Sequence, residues 1–180
     1  MEEFLNPSEI LKKLNLRKEM VACDFGCGSG GWVIPLAKIL EDGQVFAIDI
    51  LEEPLSALRS RAKLEKLSNI DAIKANVEKG VSLLSNSCDL VLMTNLLFQV
   101  RTTPDVDGET SGVKRVLEEG KRILKKGGRI LLVDWKPGIS LGPKEKVSME
   151  EIIEIASELD FKLETKFNAG PYHYGLILVK

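Results

Sequence analysis

Apolar positions along the chain fall into two alternating rhythms. Residues 20–23, 45–48, 90–93 and 130–133 form short unbroken apolar runs, as strands buried on both faces of a parallel sheet do. Residues 70–75 and 161–167 alternate apolar with polar side chains. Half-exposed strands read that way, so these two belong at the sheet edges. Residues 174–179 are apolar again and belong inside. Between the runs, apolar residues recur at helical spacing. Leu55, Leu58 and Ala62 follow Pro54. Val113, Val116, Leu117, Gly120 and Leu124 form a stripe ahead of Gly127 and Gly128. Ile152, Ile155, Ala156 and Leu159 follow a capping box of Ser148 and Glu151. A helix over about residues 7–14 precedes the first strand.

Strand and helix in alternation predict an α/β doubly wound sheet. Only Asn168-Ala169-Gly170-Pro171 separates the last two strands, too short for a crossover helix, so they must pair antiparallel. An apolar last strand tucked inside an alternating penultimate one gives seven strands in the order 3-2-1-4-5-7-6, with strand 7 antiparallel. Residues 1–180 are expected to form one domain, with loops 99–112 and 136–147 near the carboxyl edge of the strands.

Composition narrows the function classes. The chain has 180 residues, 44% of them hydrophobic and 29% charged, enough for a real core. A net charge of -2 gives no global attraction to nucleic acid. The cations Lys121, Arg122, Lys125 and Lys126 cluster at the end of an expected helix, where they suit its dipole, so nucleic acid is not an expected partner. The first residues, MEEFLNPSEI, do not read as a signal peptide, and no apolar stretch approaches the ~20 residues of a membrane span. Three cysteines, an odd count, suit a reducing, cytoplasmic setting. With a single histidine, and Cys23 four residues from Cys27, no metal site is expected.

The stretch CDFGCGSGG, residues 23–31, carries the candidate chemistry. Gly26, Gly28 and Gly31 have dinucleotide-loop spacing, but Asp24 stands at the entrance. A carboxylate ~4 Å from a phosphate costs roughly 1 to 4 kcal/mol, so Asp24 counts against NAD, FAD and ATP. It favours a nucleoside that brings a cation, such as S-adenosylmethionine with its ammonium and sulfonium. Asp49 follows the second strand, 19 residues after Gly30, where a carboxylate accepts hydrogen bonds from ribose hydroxyls. Ile50 beside it can cover an adenine face.

Asp24-Phe25-Gly26-Cys27-Gly28, extended by Ser29-Gly30, resembles motif I of the class I S-adenosylmethionine-dependent methyltransferases. Residues 88–100 and 118–135 resemble that family's fourth-strand and fifth-strand segments. The nearest likeness is to its small-molecule branch, including ubiquinone- and menaquinone-pathway enzymes. The resemblance implies a Rossmann-like fold and S-adenosyl-L-methionine as cofactor, with S-adenosyl-L-homocysteine as product. It implies that Asp24, Gly26, Cys27, Gly28 and Gly30 serve the methionine end. Asp49 and Ile50 then hold the nucleoside, Asn76 and Val77 meet the adenine edge, and the carbonyl of Thr94 meets the ammonium. Asn76 stands where the family usually has Asp.

Methyl transfer from a sulfonium mainly needs alignment of nucleophile, methyl and sulfur. A base is needed only when the acceptor must lose a proton. Asn95, Phe98, Gln99, Trp135, Tyr172 and Tyr174 are expected at the acceptor side, with His173, placed in the final hairpin, as candidate base. Thr94-Asn95-Leu96-Leu97 departs from the [DN]-P-P-[YF] of amino-methylating DNA enzymes, which leaves a small organic acceptor, or a protein or RNA group presented by a partner. At this length either the acceptor is small or a second copy in a homodimer closes the pocket. A donor-binding module dependent on a partner protein, and an RNA or protein methyltransferase, are the alternatives.

Overall fold

The computed structural model describes residues 5–100 and 111–180. Its seven strands are β1 (Val21–Phe25), β2 (Gln44–Asp49), β3 (Ile70–Lys74), β4 (Cys88–Thr94), β5 (Leu124–Trp135), β6 (Lys162–Asn168) and β7 (His173–Val179). They form one sheet in the order β3-β2-β1-β4-β5-β7-β6. The first five run parallel, and β7 pairs antiparallel with both β5 and β6. The order and the reversed last strand are those expected from the short connection at residues 168–171. The alternating strands lie at the edges: β6 is exposed at nearly every position, whereas β7 is buried almost throughout.

Helices α1 (Pro7–Leu11), α2 (Val33–Ile39) and α3 (Glu52–Leu64) pack on one face with the side chains of Ala22, Val45, Leu90 and Val133. On the other face lie α5 (Gly112–Ile123) and α6 (Met149–Glu158), with Cys23, Val91, Ile130 and Leu176 between them and the sheet. Helix α4, described over Leu97–Val100, follows β4. The opposed apolar faces explain the unbroken apolar runs of the central strands.

Three boundaries differ from the sequence expectation. Helix α1 ends at Leu11, three residues short of residue 14. Leu124 is strand, not helix: α5 stops at Ile123, and the glycines lie inside β5. There Gly127 adopts φ +77 and the β4–β5 register shifts between Cys88 and Leu90, an irregularity that glycine tolerates. Strand β7 opens at His173, one residue ahead of the run expected over 174–179. The loop expected over 99–112 falls largely on residues 101–110, which lie outside the described residues. No helix among the described residues is long and apolar enough to cross a membrane.

Three of the four clustered cations are held by the fold, and Lys126 is exposed. Lys121 donates to the Leu159 carbonyl, Arg122 pairs with Glu119 and reaches the Val81 and Leu83 carbonyls, and Lys125 pairs with Asp89 at 2.9 Å.

Candidate functional site

Strand β1 delivers the chain to the carboxyl edge, where it turns sharply into α2. The N–H groups of Gly26 and Cys27 both donate to the Ile48 carbonyl at 2.9 Å, tying the turn to β2. Asp49, at the end of β2, completes the tie. Its Oδ2 accepts from the Gly28 N–H at 2.9 Å and its Oδ1 from the Leu51 N–H at 3.0 Å. Gly28 and Gly30 both have left-handed backbones, at φ +52 and +87, but for different ends. A Cβ on Gly30 would collide with Leu58, whereas one on Gly28 would meet nothing within 4 Å. Gly30 seats the turn against α3; Gly28 leaves open space.

That space belongs to a cavity of about 320 Å³ lined by Gly26, Gly28, Asp49, Ile50, Ala75, Asn76, Val77, Glu78, Leu96, Gln99 and Val100. The sequence singles out Gly26, Gly28, Asp49, Ile50, Asn76, Val77 and Gln99 of these, and the structure brings all seven together. Asn76 caps a short turn (Val77–Lys79), its side-chain oxygen accepting from the Glu78 N–H at 2.9 Å. That leaves the amide's NH2 end as the uncommitted donor. Sequence reasoning misses Ala75, Glu78, Leu96 and Val100. Leu96 and Val100 read as ordinary core residues in TNLLFQV. Glu78 pairs with Arg115 at 3.1 Å, and only the fold brings α5 near enough for this.

Asp24 is fully buried in β1, two residues before Gly26, and neither of its carboxylate oxygens has a hydrogen-bond partner among the described residues. Burial, and then the charge of Asp49, push its pKa up to about 8. The second cause places Asp24 within electrostatic reach of the cavity's own carboxylate. Cys27 is buried, and its thiol is raised far out of the nucleophilic range by burial and then by Asp24. Cys27 therefore acts as packing.

The strand-4 and strand-5 ends supply the other wall. Thr94, nearly buried, ends β4 opposite Val133. Asn95 then takes a left-handed backbone (φ +51), its N–H donating to the Val133 carbonyl at 2.8 Å. Its side-chain oxygen is buried without a partner among the described residues. Gln99 donates its side-chain amide to the Asn95 carbonyl at 3.0 Å, and Phe98 beside it is half-buried. Asp134, fully buried at the end of β5, accepts from the Leu97 N–H at 2.9 Å and the Trp135 N–H at 2.8 Å.

Trp135 and Tyr172 are half-buried outside the cavity lining. The Trp135 ring packs on His173 at 4.3 Å between centroids. His173 is fully buried; burial and then Lys136 push its pKa down. Tyr174 is also buried, and its hydroxyl donates to the Val147 carbonyl at 2.8 Å. The structure thus keeps His173 and Tyr174 out of the cavity lining.

The family model described as "Methyltransferase domain" matches residues 16–170. Among curated proteins, demethylmenaquinone methyltransferase from Geobacillus sp. (strain WCH70) is 27% identical over 74% of this chain and 53% of that protein. The same-named protein of Staphylococcus aureus (strain MRSA252) is 32% identical over 69% of this chain and 47% of its own length. The chain spans about half the length of the curated relatives it matches. Among solved structures, a SAM-dependent methyltransferase from Aquifex aeolicus superposes with a TM-score of 0.83 at 26% identity. The match covers 97% of this chain and 89% of that one.

Proposed function

The chain belongs to the methyltransferase-domain family, and we propose that it binds S-adenosyl-L-methionine and moves the methyl group to a small organic acceptor by in-line displacement. Asp24 carries this reading. A buried carboxylate without a hydrogen-bond partner is costly. A ligand bringing an ammonium relieves that cost, whereas a pyrophosphate adds a like charge. Bound S-adenosylmethionine supplies a methyl group already activated by its sulfonium.

The chain's own residues bind and orient it. Asp24 and the carbonyl of Thr94 receive the ammonium, Asp24 directly or through water. The backbone of Gly26, Cys27 and Gly28 lets the methionine portion approach, on a turn that Gly30 seats against Leu58. Asp49 accepts from the ribose hydroxyls while its two N–H bonds keep the carboxylate oriented. Ile50, 56% exposed, covers the adenine, and Asn76 and Val77 meet its edge. Leu96 and Val100 exclude water from the same space.

The acceptor lies toward Asn95, Phe98, Gln99, Trp135 and Tyr172. Trp135 presents its ring there with His173 packed behind it. His173 therefore supports the aromatic wall in this reading and is not the proton acceptor. Because the curated relatives are named demethylmenaquinone methyltransferases, the acceptor class to try first is a substituted quinol. The three buried, unpaired cysteines fit a reducing, cytoplasmic location, and the pairing of Lys121, Arg122 and Lys125 within the fold fits a partner other than nucleic acid.

The test is purified protein with S-adenosylmethionine and a panel of quinol and other aromatic acceptors, read as S-adenosylhomocysteine formed. The expected result is turnover with one acceptor class. Donor binding without turnover, rescued by a second protein, would replace this reading with that of a partner-dependent binding module. Salt-sensitive retention of RNA with methylation of it would move the acceptor to RNA.

A further inference from the structure

We propose that Asp134 is a positioning residue for methyl transfer, holding the turn after β4 in the shape that walls the cavity. This rests on the donor-binding reading above. The turn is poorly able to hold itself. Asn95 has a left-handed backbone at φ +51 and an amide oxygen buried without a partner among the described residues. The segment then turns straight into α4, which opens at Leu97. Yet this segment delivers Leu96, Gln99 and Val100 to the cavity. Leu96 also comes so close to the glycine turn that a Cβ on Gly26 would lie 3.0 Å from its methyl.

What holds the segment is a buried anion on the neighbouring strand. Asp134 takes the Leu97 N–H on one oxygen and the Trp135 N–H on the other. The backbone N–H groups of Leu96 and Phe98 also stabilise its charge. One carboxylate therefore gathers N–H groups from the turn that walls the cavity and from the residue that opens the acceptor side. Burial raises its pKa to about 6 and the N–H groups oppose that rise, so the group is ionised near neutral pH. Hydrogen bonds to a charged acceptor are the strong kind, and a wall fixed before the ligand arrives spares the ordering cost on binding.

The control stands at the opposite edge of the sheet. Asp89 also accepts a backbone N–H, that of Val21 at 2.8 Å, and pairs with Lys125, but it touches nothing at the cavity. S-adenosylhomocysteine affinity is measured by calorimetry for the wild type, Asp134→Asn and Asp89→Asn, well below each melting temperature. The expected result is a loss of about 10- to 100-fold for Asp134→Asn and a change under about twofold for Asp89→Asn at a comparable melting-temperature loss. Equal losses in both variants, or unchanged affinity in Asp134→Asn, would overturn the proposal.

Should Asp134→Asn fail to fold, amide hydrogen exchange on the wild type decides. Leu97 and Trp135 N–H groups protected like the β4 core before ligand is added support a preformed wall, and exchange at open-loop rates overturns it. A wild type that binds no S-adenosylhomocysteine sinks the donor reading and this inference with it. A wild type that binds, with Asp134→Asn binding equally well, sinks only the positioning role.

Discussion

Asp24 and Asp134 stand near the carboxyl edge of the same sheet, both with no exposed surface, and differ in what surrounds them. Asp134 accepts two well-formed N–H bonds with two more N–H groups near it, and its pKa rises only to about 6. Asp24 has no hydrogen-bond partner among the described residues and rises to about 8. Both are raised mainly by burial; the difference is the compensation that the fold supplies. A carboxylate surrounded by backbone donors is part of the scaffold. One left bare at the mouth of a glycine turn is a site of stored cost that a cationic ligand removes.

The comparison breaks most readily at Asp24. Asp24→Asn should lower donor affinity about 100-fold, measured with S-adenosylhomocysteine by calorimetry. It should also raise the stability of the ligand-free protein by roughly 2 kcal/mol above pH 8. The sign follows from the raised pKa. The folded state holds this proton more tightly than the unfolded one. Wild-type stability therefore falls as pH rises from the ordinary 3.8 toward about 8, and the variant lacks that fall. Unfolding midpoints at several pH values check it.

Asp134→Ala should go the other way, costing about 2 to 4 kcal/mol near neutral pH by leaving its N–H donors unanswered, as read by denaturant unfolding. If both substitutions destabilise alike, the distinction between bare and satisfied acids is wrong.

The two glycines sharpen the same contrast on a smaller scale. Gly30→Ala should cost about 2 kcal/mol of stability through the clash with Leu58 and the left-handed backbone. Gly28→Ala, with open space around it, should cost about 1 kcal/mol while lowering donor affinity about tenfold, because its methyl enters the ligand's approach. Thermal melts and the same titration separate them. The smallest effect is expected at His173. His173→Gln should cost about 1 kcal/mol through its packing with Trp135 and change donor affinity by less than about twofold. A fall in turnover beyond that stability loss would restore a proton-transfer role.

The strand order was legible because its signals are local. Four residues between the last two strands cannot hold a crossover, and alternation in residues 70–75 and 161–167 marks the edges whatever else the chain does. The glycine turn and Asp49 are legible in combination, because a strand-end acid gains meaning from glycines and a second acid at a fixed distance before it. Leu96 and Val100 were not legible, since an apolar side chain lining a cavity looks in sequence like one filling a core. The role of Asp134 is hidden for a related reason: a strand-end aspartate alone reads equally as a surface residue, and besides the neighbouring Trp135 N–H its donor is Leu97, 37 residues away. His173 lies at the carboxyl edge as expected, but its burial is not legible. In PYHYGLIL nothing local tells that the ring is buried and packs on Trp135.

The most direct measurement is a calorimetric titration of the wild-type protein with S-adenosylhomocysteine and, in parallel, with NADH, repeated from about pH 6 to pH 8. The predicted result is binding of the adenosyl thioether that tightens by up to about tenfold per pH unit as Asp24 gives up its proton more readily, with no measurable heat from NADH. Tighter binding of NADH, or adenosyl-thioether affinity that does not change with pH, would contradict the account.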